Sequence, residues 1–340
     1  MTTSRNYSTT TWPWLFLVLA VWLMLSAGRP AQAADAPAGS TAQDQVAQQQ
    51  KQPLNNAPVW REVRSGEVHI TNVRGPEAGV LIQTEGMTWR ALRNGPVTLY
   101  GGILLLVVLA SIFAFYKVKG PLALHAAPTG KQVERFNKFE RIVHWGTAIS
   151  FMVLAITGLA ILFGKHVIVP VLGHTVFGYL LILGKTLHNY LGPVFLGFTV
   201  VMIVIWARDN VWQACDAQWI SKAGGLASGE HVPSGRFNFG EKTWFWFGVT
   251  ILGLVVSASG LVLDFPNFGQ LRETMMTFNL IHVIGAILLM LLSFGHIYMG
   301  TVGVDGALDS MKTGQVDETW AKEHHEHWYN DIKTGKSGHP

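Results

Sequence analysis

The chain has 340 residues, of which 49% are hydrophobic and only 14% are charged; this excludes an ordinary soluble protein, because such proteins are about 25% charged. The formal net charge of +4 is small and is attributed to cytoplasmic loops of a membrane protein rather than to nucleic-acid binding. The single cysteine, Cys215, excludes a disulfide framework and an iron–sulfur cluster held by this chain.

The N-terminus, residues 1–33, is predicted to be a cleaved secretory signal peptide. Arg5 supplies a weak basic region, Trp12 to Ala27 an apolar core, and Ala31-Gln32-Ala33 a small-residue cleavage site. A retained first helix is the alternative, and in either case the segment after residue 33 is predicted to be exported. Residues 34–97 are predicted to form a periplasmic extension, whose Ala/Gln-rich start cannot bury a core.

Long apolar runs predict five membrane spans in the mature chain. The first, at 98–117, has no ionisable residue before Lys117 and is interpreted as an extra transmembrane helix that acts as an anchor. A cytoplasmic linker (118–142) leads to a predicted four-helix bundle (143–303), and a cytoplasmic tail (304–340) comes after it. The spans of the bundle are predicted at about 143–164, 186–206, 243–263 and 279–302.

The distribution of basic residues predicts the topology. Six lysines and arginines lie between Lys117 and Arg141, and eight lie in the segment 207–242 and the tail together. Only three lie in the loops at 165–185 and 264–278, which are therefore predicted to face outward. The chain is thus predicted to be a multi-pass protein of the bacterial inner membrane with an exported N-terminus.

Four histidines lie at matching depths of the predicted bundle. His282 and His296 are fourteen residues apart in the last span, which puts them on one helix face and about 21 Å apart along the axis. His144 opens a span at the cytoplasmic edge, and His188 opens the next at the outer edge. Depth therefore pairs His188 with His282 and His144 with His296.

Each pair offers two neutral imidazoles to one metal centre. Two imidazoles fill both axial positions of a haem iron, which suits electron transfer. The sequence has no Cys-x-x-Cys-His motif, so such a haem would be non-covalent and of the b type. A glycine near each ligand would allow close approach of a flat macrocycle: Gly146, Gly192, Gly285 and Gly295. Hydrogen bonding between helices and zinc binding are the alternatives, although zinc usually takes three or four ligands.

Other histidines are interpreted without a ligand role. His166 and His174 lie in the predicted outer loop. His324, His325 and His327 cluster in the tail, where the segment 320–332 is typical of a polar, partly helical cytoplasmic segment.

With these residues placed, the chain resembles the cytochrome b (gamma) subunit of membrane-bound formate dehydrogenase, in a long form with an N-terminal extension. The resemblance covers about residues 135–335, and the tail favours this branch over the related hydrogenase cytochrome b. It rests on the motifs Arg-Ile-Val-His144-Trp, Leu-His188-x-x-x-Gly192, Leu-Ile-His282-x-x-Gly285 and His296-Ile-Tyr-Met. The resemblance implies an all-α membrane protein, with a four-helix transmembrane dihaem cytochrome b bundle plus one additional N-terminal transmembrane helix. The four paired histidines would hold two haem b groups.

The resemblance also implies a quinone site beside the cytoplasmic-side haem. The matching motif runs from Arg236 to Lys242, and Asn238 and Glu241 are its candidate quinone-binding residues. Both could hydrogen-bond a quinone carbonyl and relay protons. A capping box formed by the same two residues at a helix N-terminus is the other interpretation, and both can hold together.

The function that the resemblance implies is that of the electron-transfer and quinone-reducing subunit of an oxidoreductase complex in anaerobic respiration. A periplasmic iron–sulfur (beta) subunit would deliver electrons, and a molybdenum- or tungsten-containing catalytic (alpha) subunit would oxidise formate. The alternatives are the cytochrome b subunit of a hydrogenase or related quinone-linked oxidoreductase, and a haem-free membrane anchor.

Overall fold

The computed structural model describes residues 60–61, 64–65, 84–225, 228–230 and 232–336. The predicted signal peptide, and residues 34–59 and most of 62–83 of the predicted periplasmic extension, lie outside these residues. The chain divides into two compact units, 1–87 and 88–340. In the first, residues 60–61 and 64–65 are helical. The second contains the helical bundle.

Five helices in the described part of the chain are long and apolar enough to cross a membrane, which confirms the predicted all-α membrane fold. The first consists of α1 (Thr84–Leu92), a π-helical turn (Arg93–Val97) and α2 (Thr98–Lys119). The second is α3 (Lys138–Val167) and the third is α4 (Val169–Trp206), which is followed by the short α5 (Ala214–Ser221). The fourth joins α6 (Phe239–Thr243), a π-helical segment (Trp244–Leu252) and α7 (Gly253–Asp264). The fifth is α8 (Arg272–Tyr298), which ends in a π-helical turn (Met299–Gly303).

The segment 165–185, predicted to be a loop between two spans, is nearly all helical instead. α3 continues to Val167 and α4 begins at Val169, with a break at Gly173, where φ is +74°. The continuous part of α4 after this break is about 50 Å long, whereas the hydrocarbon core is about 30 Å thick. The missed segment is itself apolar, so the predicted span of about 20 residues was too short for this helix. Likewise, α8 begins at Arg272, inside the predicted loop 264–278.

The bundle has two halves that begin with the same sequence motif, Arg-Phe-Asn-x-x-Glu. It occurs at 135–140 before α3 and at 236–241 before α6. In each copy the asparagine and glutamate form a capping box at the start of a span. α3 then packs on α4 in one half, and α7 packs on α8 in the other. The sequence therefore contains an internal repeat that builds two similar helical hairpins.

The two copies of the motif are joined by crossed ion pairs. Arg135 donates to Glu241 at 2.9 Å and to the Arg236 carbonyl at 3.0 Å. Arg236 donates to Glu140 at 2.7 Å and to the Arg135 carbonyl at 2.8 Å. It also pairs with Asp209. These charges are mostly buried. Each arginine therefore links the motif at the start of one half to the motif at the start of the other half.

The tail forms a folded cap rather than an open polar segment. It contains α9 (Ala307–Lys312), β2 (Gln315–Asp317), α10 (Glu318–His324) and α11 (Glu326–Lys333). β2 pairs antiparallel with β1 (Gln132–Glu134) of the linker, in the register Val133 to Val316. Trp320, Ala321 and Trp328 are buried in this tail cap. The partly helical structure matches the interpretation of the sequence, but the burial of its aromatic residues was not predicted.

Candidate functional site

The structure brings His188 of α4 next to His282 of α8, with ring centroids 6.0 Å apart. Nδ1 of His188 lies 2.9 Å from the Thr157 hydroxyl, which itself donates to the Val153 carbonyl. Nδ1 of His282 lies 3.0 Å from the Val256 carbonyl. Since these oxygens act as acceptors, both imidazoles carry their proton on Nδ1. Nε2 of each ring is therefore a lone-pair donor, the form that binds a metal.

Small residues of the two halves support this first pair in the same way. Ser259 of α7 lies 3.2 Å from Nδ1 of His282, as Thr157 of α3 does at 2.9 Å from His188. A glycine follows each of them, and a Cβ added at Gly158 or Gly260 would lie 3.3 or 3.1 Å from Cε1 of the adjacent histidine. Larger side chains there would push the rings, so the sequences Thr-Gly and Ser-Gly fix their positions. None of these residues was predicted from the sequence.

The second pair is His144 of α3 and His296 of α8, with ring centroids 6.2 Å apart. Trp244 stacks on His296 with a centroid distance of 4.9 Å and an interplanar angle of 13°. Nδ1 of His144 is buried without a hydrogen-bond partner among the described residues. An aromatic face thus orients the second pair, whereas hydrogen bonds orient the first pair. Trp244 was not predicted, because stacking depends on the tertiary path of the chain.

The spacing of both pairs fits one metal ion between two imidazoles. Metal–imidazole bonds of about 2.0–2.1 Å put two opposed ring centroids about 6 Å apart. The observed distances are 6.0 and 6.2 Å. No atom lies within 4 Å of a Cβ added at Gly192 or Gly295, so the backbone beside the ligands leaves room for a flat group. At Gly146 and Gly285 an added Cβ would instead meet Phe198 and Val256.

Asn238 and Glu241 form the capping box that was the second interpretation of their motif. The Asn238 side chain accepts from the Glu241 amide at 3.0 Å, and the Glu241 carboxylate accepts from the Asn238 amide at 2.9 Å. The other carboxylate oxygen of Glu241 accepts from Arg135. The Glu241 side chain is nevertheless 35% exposed, so a ligand can reach it. Glu241 lies one helical turn before Trp244, and Trp244 stacks on His296 of the second pair.

His325 of the tail cap is buried beside Glu241, contrary to its interpretation as part of a polar segment. Its side chain is 1% exposed, and its Nδ1 donates to the Gly235 carbonyl at 2.7 Å. Its Nε2 lies 3.9 Å from the Glu241 carboxylate. Burial, and then the charge of Arg135, lowers the pKa of His325 to about 3. The ring is therefore neutral in the folded protein at pH 7. A buried histidine in a hydrophilic stretch carries no sequence signal.

The burial of His325 predicts that the tail cap is less stable in acid. The unfolded chain binds a proton at this histidine below about pH 6.5, whereas the folded chain does not until about pH 3. The contribution of the neutral His325 ring to the free energy of unfolding is thus fully present above pH 6.5. It falls as the pH decreases, by about 2 kcal/mol between pH 7 and pH 5. Thermal unfolding at both pH values measures this effect. H325N, which keeps an N–H donor for Gly235, is expected to remove it.

The control for this experiment is H327N, at an exposed histidine of the tail cap. H325N is expected to remove more of the pH dependence of unfolding than this control does. A wild-type pH dependence in H325N would contradict the assignment of the effect to His325.

Comparison with known proteins points to the same residues. The model of the family described as prokaryotic cytochrome b561 matches residues 135–314, which include all four paired histidines. The resemblance predicted from the sequence is confirmed by relatives that are cytochrome b556 subunits of formate dehydrogenase. The fdo subunit of Escherichia coli K12 is 29% identical over 209 residues, which are 59% of this chain and 93% of the relative.

Two further relatives carry the same description. The nitrate-inducible Fdn subunit of Escherichia coli K12 is 27% identical over 212 residues, which are 61% of this chain and 94% of the relative. The cytochrome b556 subunit of formate dehydrogenase from Haemophilus influenzae Rd is 26% identical over 199 residues, which are 56% of this chain and 79% of the relative.

Proposed function

We propose that this chain, which belongs to the prokaryotic cytochrome b561 family, is the membrane cytochrome b subunit of a formate dehydrogenase complex. In this role it carries electrons from a periplasmic iron–sulfur partner through two b haems to the quinone pool. The observation that carries the proposal is the presence of two facing imidazole pairs at different depths of one bundle. The descriptions of the relatives supply the type of dehydrogenase.

The four histidines are the proposed haem ligands. His188 and His282 would hold the outer haem, and His144 and His296 the inner one, each through Nε2. When bound, the haems supply one-electron transfer through the bundle. The chain's own contribution is to fix the rings, by hydrogen bonds to Nδ1 at the outer pair and by the Trp244 stack at the inner pair. Fourteen residues of α8 separate the two depths by about 21 Å.

Asn238 and Glu241 are the proposed quinone-binding residues. They lie at the start of the helix that carries Trp244, so a quinone bound there is adjacent to the inner pair. Glu241 is accessible, and its carboxylate is ionised because it accepts from Arg135 and from the Asn238 amide. It can therefore take up a proton from solvent and pass it to a reduced quinone oxygen. His325 at 3.9 Å restricts the position of the carboxylate further. The capping role of both residues keeps them rigid for this task.

The direction of charge movement is proposed from the predicted topology. Electrons would enter at the outer pair, while quinone protons are taken up at the end of the bundle that the tail cap covers. Entry of electrons and uptake of protons on opposite sides of the membrane is electrogenic. Moving one elementary charge across the membrane changes the free energy by about 2.3 kcal/mol per 100 mV. The proposed complex lies in the bacterial inner membrane and includes an iron–sulfur beta subunit. A molybdenum- or tungsten-containing alpha subunit oxidises formate.

The role of Glu241 is tested by quinol formation. The purified protein is reduced with dithionite, mixed with a water-soluble naphthoquinone, and monitored by the reoxidation of its haem absorption. E241Q preserves the size of the side chain and an acceptor for Arg135, but it cannot take up a proton and pass it on. Reoxidation is expected to slow by about 10²-fold, the lower limit for loss of a general acid–base group.

The matched control is E273Q, which makes the same change at an exposed glutamate of α8. It should reoxidise at the wild-type rate. Wild-type kinetics in E241Q, with both haems retained, would contradict the proposed proton relay and leave Glu241 as a helix cap.

A further inference from the structure

A cavity of about 230 Å³ lies between the extra helix and the bundle. Its walls come from the π-helical turn before α2, the end of α3 and the first half of α4. Arg93 and Lys165 contribute positive charge to its lining, beside the imidazole of His166. Asn94 and Thr98 add neutral polar groups beside these cations. The opposite wall is apolar and consists of Ile161, Leu162, Phe177 and Leu181. Among the described residues that line the cavity, none is acidic.

The cavity results from a kink in the first span and not from loose packing. Gly95 has non-helical dihedral angles and Pro96 lacks an amide proton, so the helix is interrupted between α1 and α2. The Arg93 carbonyl at this interruption accepts from both the backbone amide and the hydroxyl of Thr98. Immediately beyond the kink the span packs tightly on the bundle. A Cβ added at Gly102 would lie 3.1 Å from Phe163, and α2 therefore closes the cavity on one side.

The positions of the two cations match the level of lipid headgroups. Arg93 precedes the uninterrupted apolar helix α2, and Lys165 lies in the last turn of α3. Lys165 is thus at the end of a span, and Arg93 lies at the kink where the uninterrupted apolar part of the first span begins. A soluble anion would match the charges but not the apolar walls, whereas a phospholipid matches both.

We propose that this cavity binds an anionic phospholipid. The phosphate lies between Arg93 and Lys165, and an acyl chain covers the apolar wall formed by α3 and α4. The site needs the turn before α2, which precedes the region that the family model matches. The extra helix therefore has a role of its own in this chain, because it completes a lipid site at the edge of the bundle. Lipid binding at this cavity does not depend on haem or quinone binding.

The test counts the lipid retained by the full chain. Protein purified from nanodiscs of phosphatidylglycerol is compared with protein from phosphatidylcholine of the same acyl chains by native mass spectrometry. The wild type is expected to retain one phosphatidylglycerol and no phosphatidylcholine at matched detergent. K165Q should raise the apparent Kd for phosphatidylglycerol about fivefold, and R93Q/K165Q about 25-fold, as expected from the attraction of each cation.

The matched control is K185Q/R272Q, which removes two cations that do not line the cavity. It should retain phosphatidylglycerol like the wild type. If R93Q/K165Q does not fold, K165Q alone decides the question. Equal retention by variant and wild type, equal retention of phosphatidylcholine, or binding of inorganic phosphate alone with the same affinity would each overturn the proposal.

Discussion

Replacing His282 by alanine is expected to reduce the haem content of the purified protein from two per chain to about one. The remaining His188 offers a single ligand to a non-covalent haem, and its binding depends on both imidazoles. The inner pair lies about 21 Å away along α8 and shares no ligand with the outer pair, so its haem should remain. Haem is counted as the pyridine haemochrome against protein concentration.

Double variants make this expectation specific to the pairing. H188A/H282A removes both ligands of one proposed site and should lose no more haem than H282A alone. H282A/H296A removes one ligand from each site and should leave no haem. The haem losses caused by two substitutions within one pair are then non-additive, whereas the losses caused by substitutions in different pairs are additive. The exposed His174 provides a control, since H174A should retain both haems.

The second large effect is expected at the crossed arginines. Arg236 pairs with Glu140 at 2.7 Å and with Asp209, and its side chain is only 13% exposed. R236Q removes the positive charge and leaves the Glu140 carboxylate, which is 9% exposed, without its ionic partner. Breaking a buried pair in this way costs about 3–5 kcal/mol. The thermal unfolding temperature in detergent should therefore fall by several degrees.

The comparison variant is K222Q, in an ion pair with Glu230 that has a similar distance of 2.9 Å. Its partners are 41% and 58% exposed, so its loss should cost less than about 1 kcal/mol. A similar unfolding temperature for R236Q and K222Q would contradict the view that the crossed pairs join the halves.

The spans and the four paired histidines could be predicted from the sequence, each for a different reason. Spans are predicted because apolar length is a local property of the chain. The histidine pairs are predicted because helix geometry converts the spacing of His282 and His296 into depth and direction. The N-terminal part of α4 was missed, because the predicted span was limited to about the length that crosses the hydrocarbon core.

The residues that position the site were mostly not predicted. Thr157 and Ser259 contact histidines of other helices, and their roles appear only when the helices are packed. The same applies to Trp244 on His296 and to His325 beside Glu241. The repeated Arg-Phe-Asn-x-x-Glu motif is visible in the sequence, but the two similar halves that it begins were not predicted either.

The central claim is that each imidazole pair holds one haem, and its most direct test is a spectrum of the wild-type protein. Reduced-minus-oxidised absorption, with a pyridine haemochrome count and low-temperature EPR of the oxidised form, reports haem type, number and ligation. We expect two b-type haems per chain, both low-spin as two axial imidazoles require. A colourless protein, or a single haem per chain, would contradict the claim.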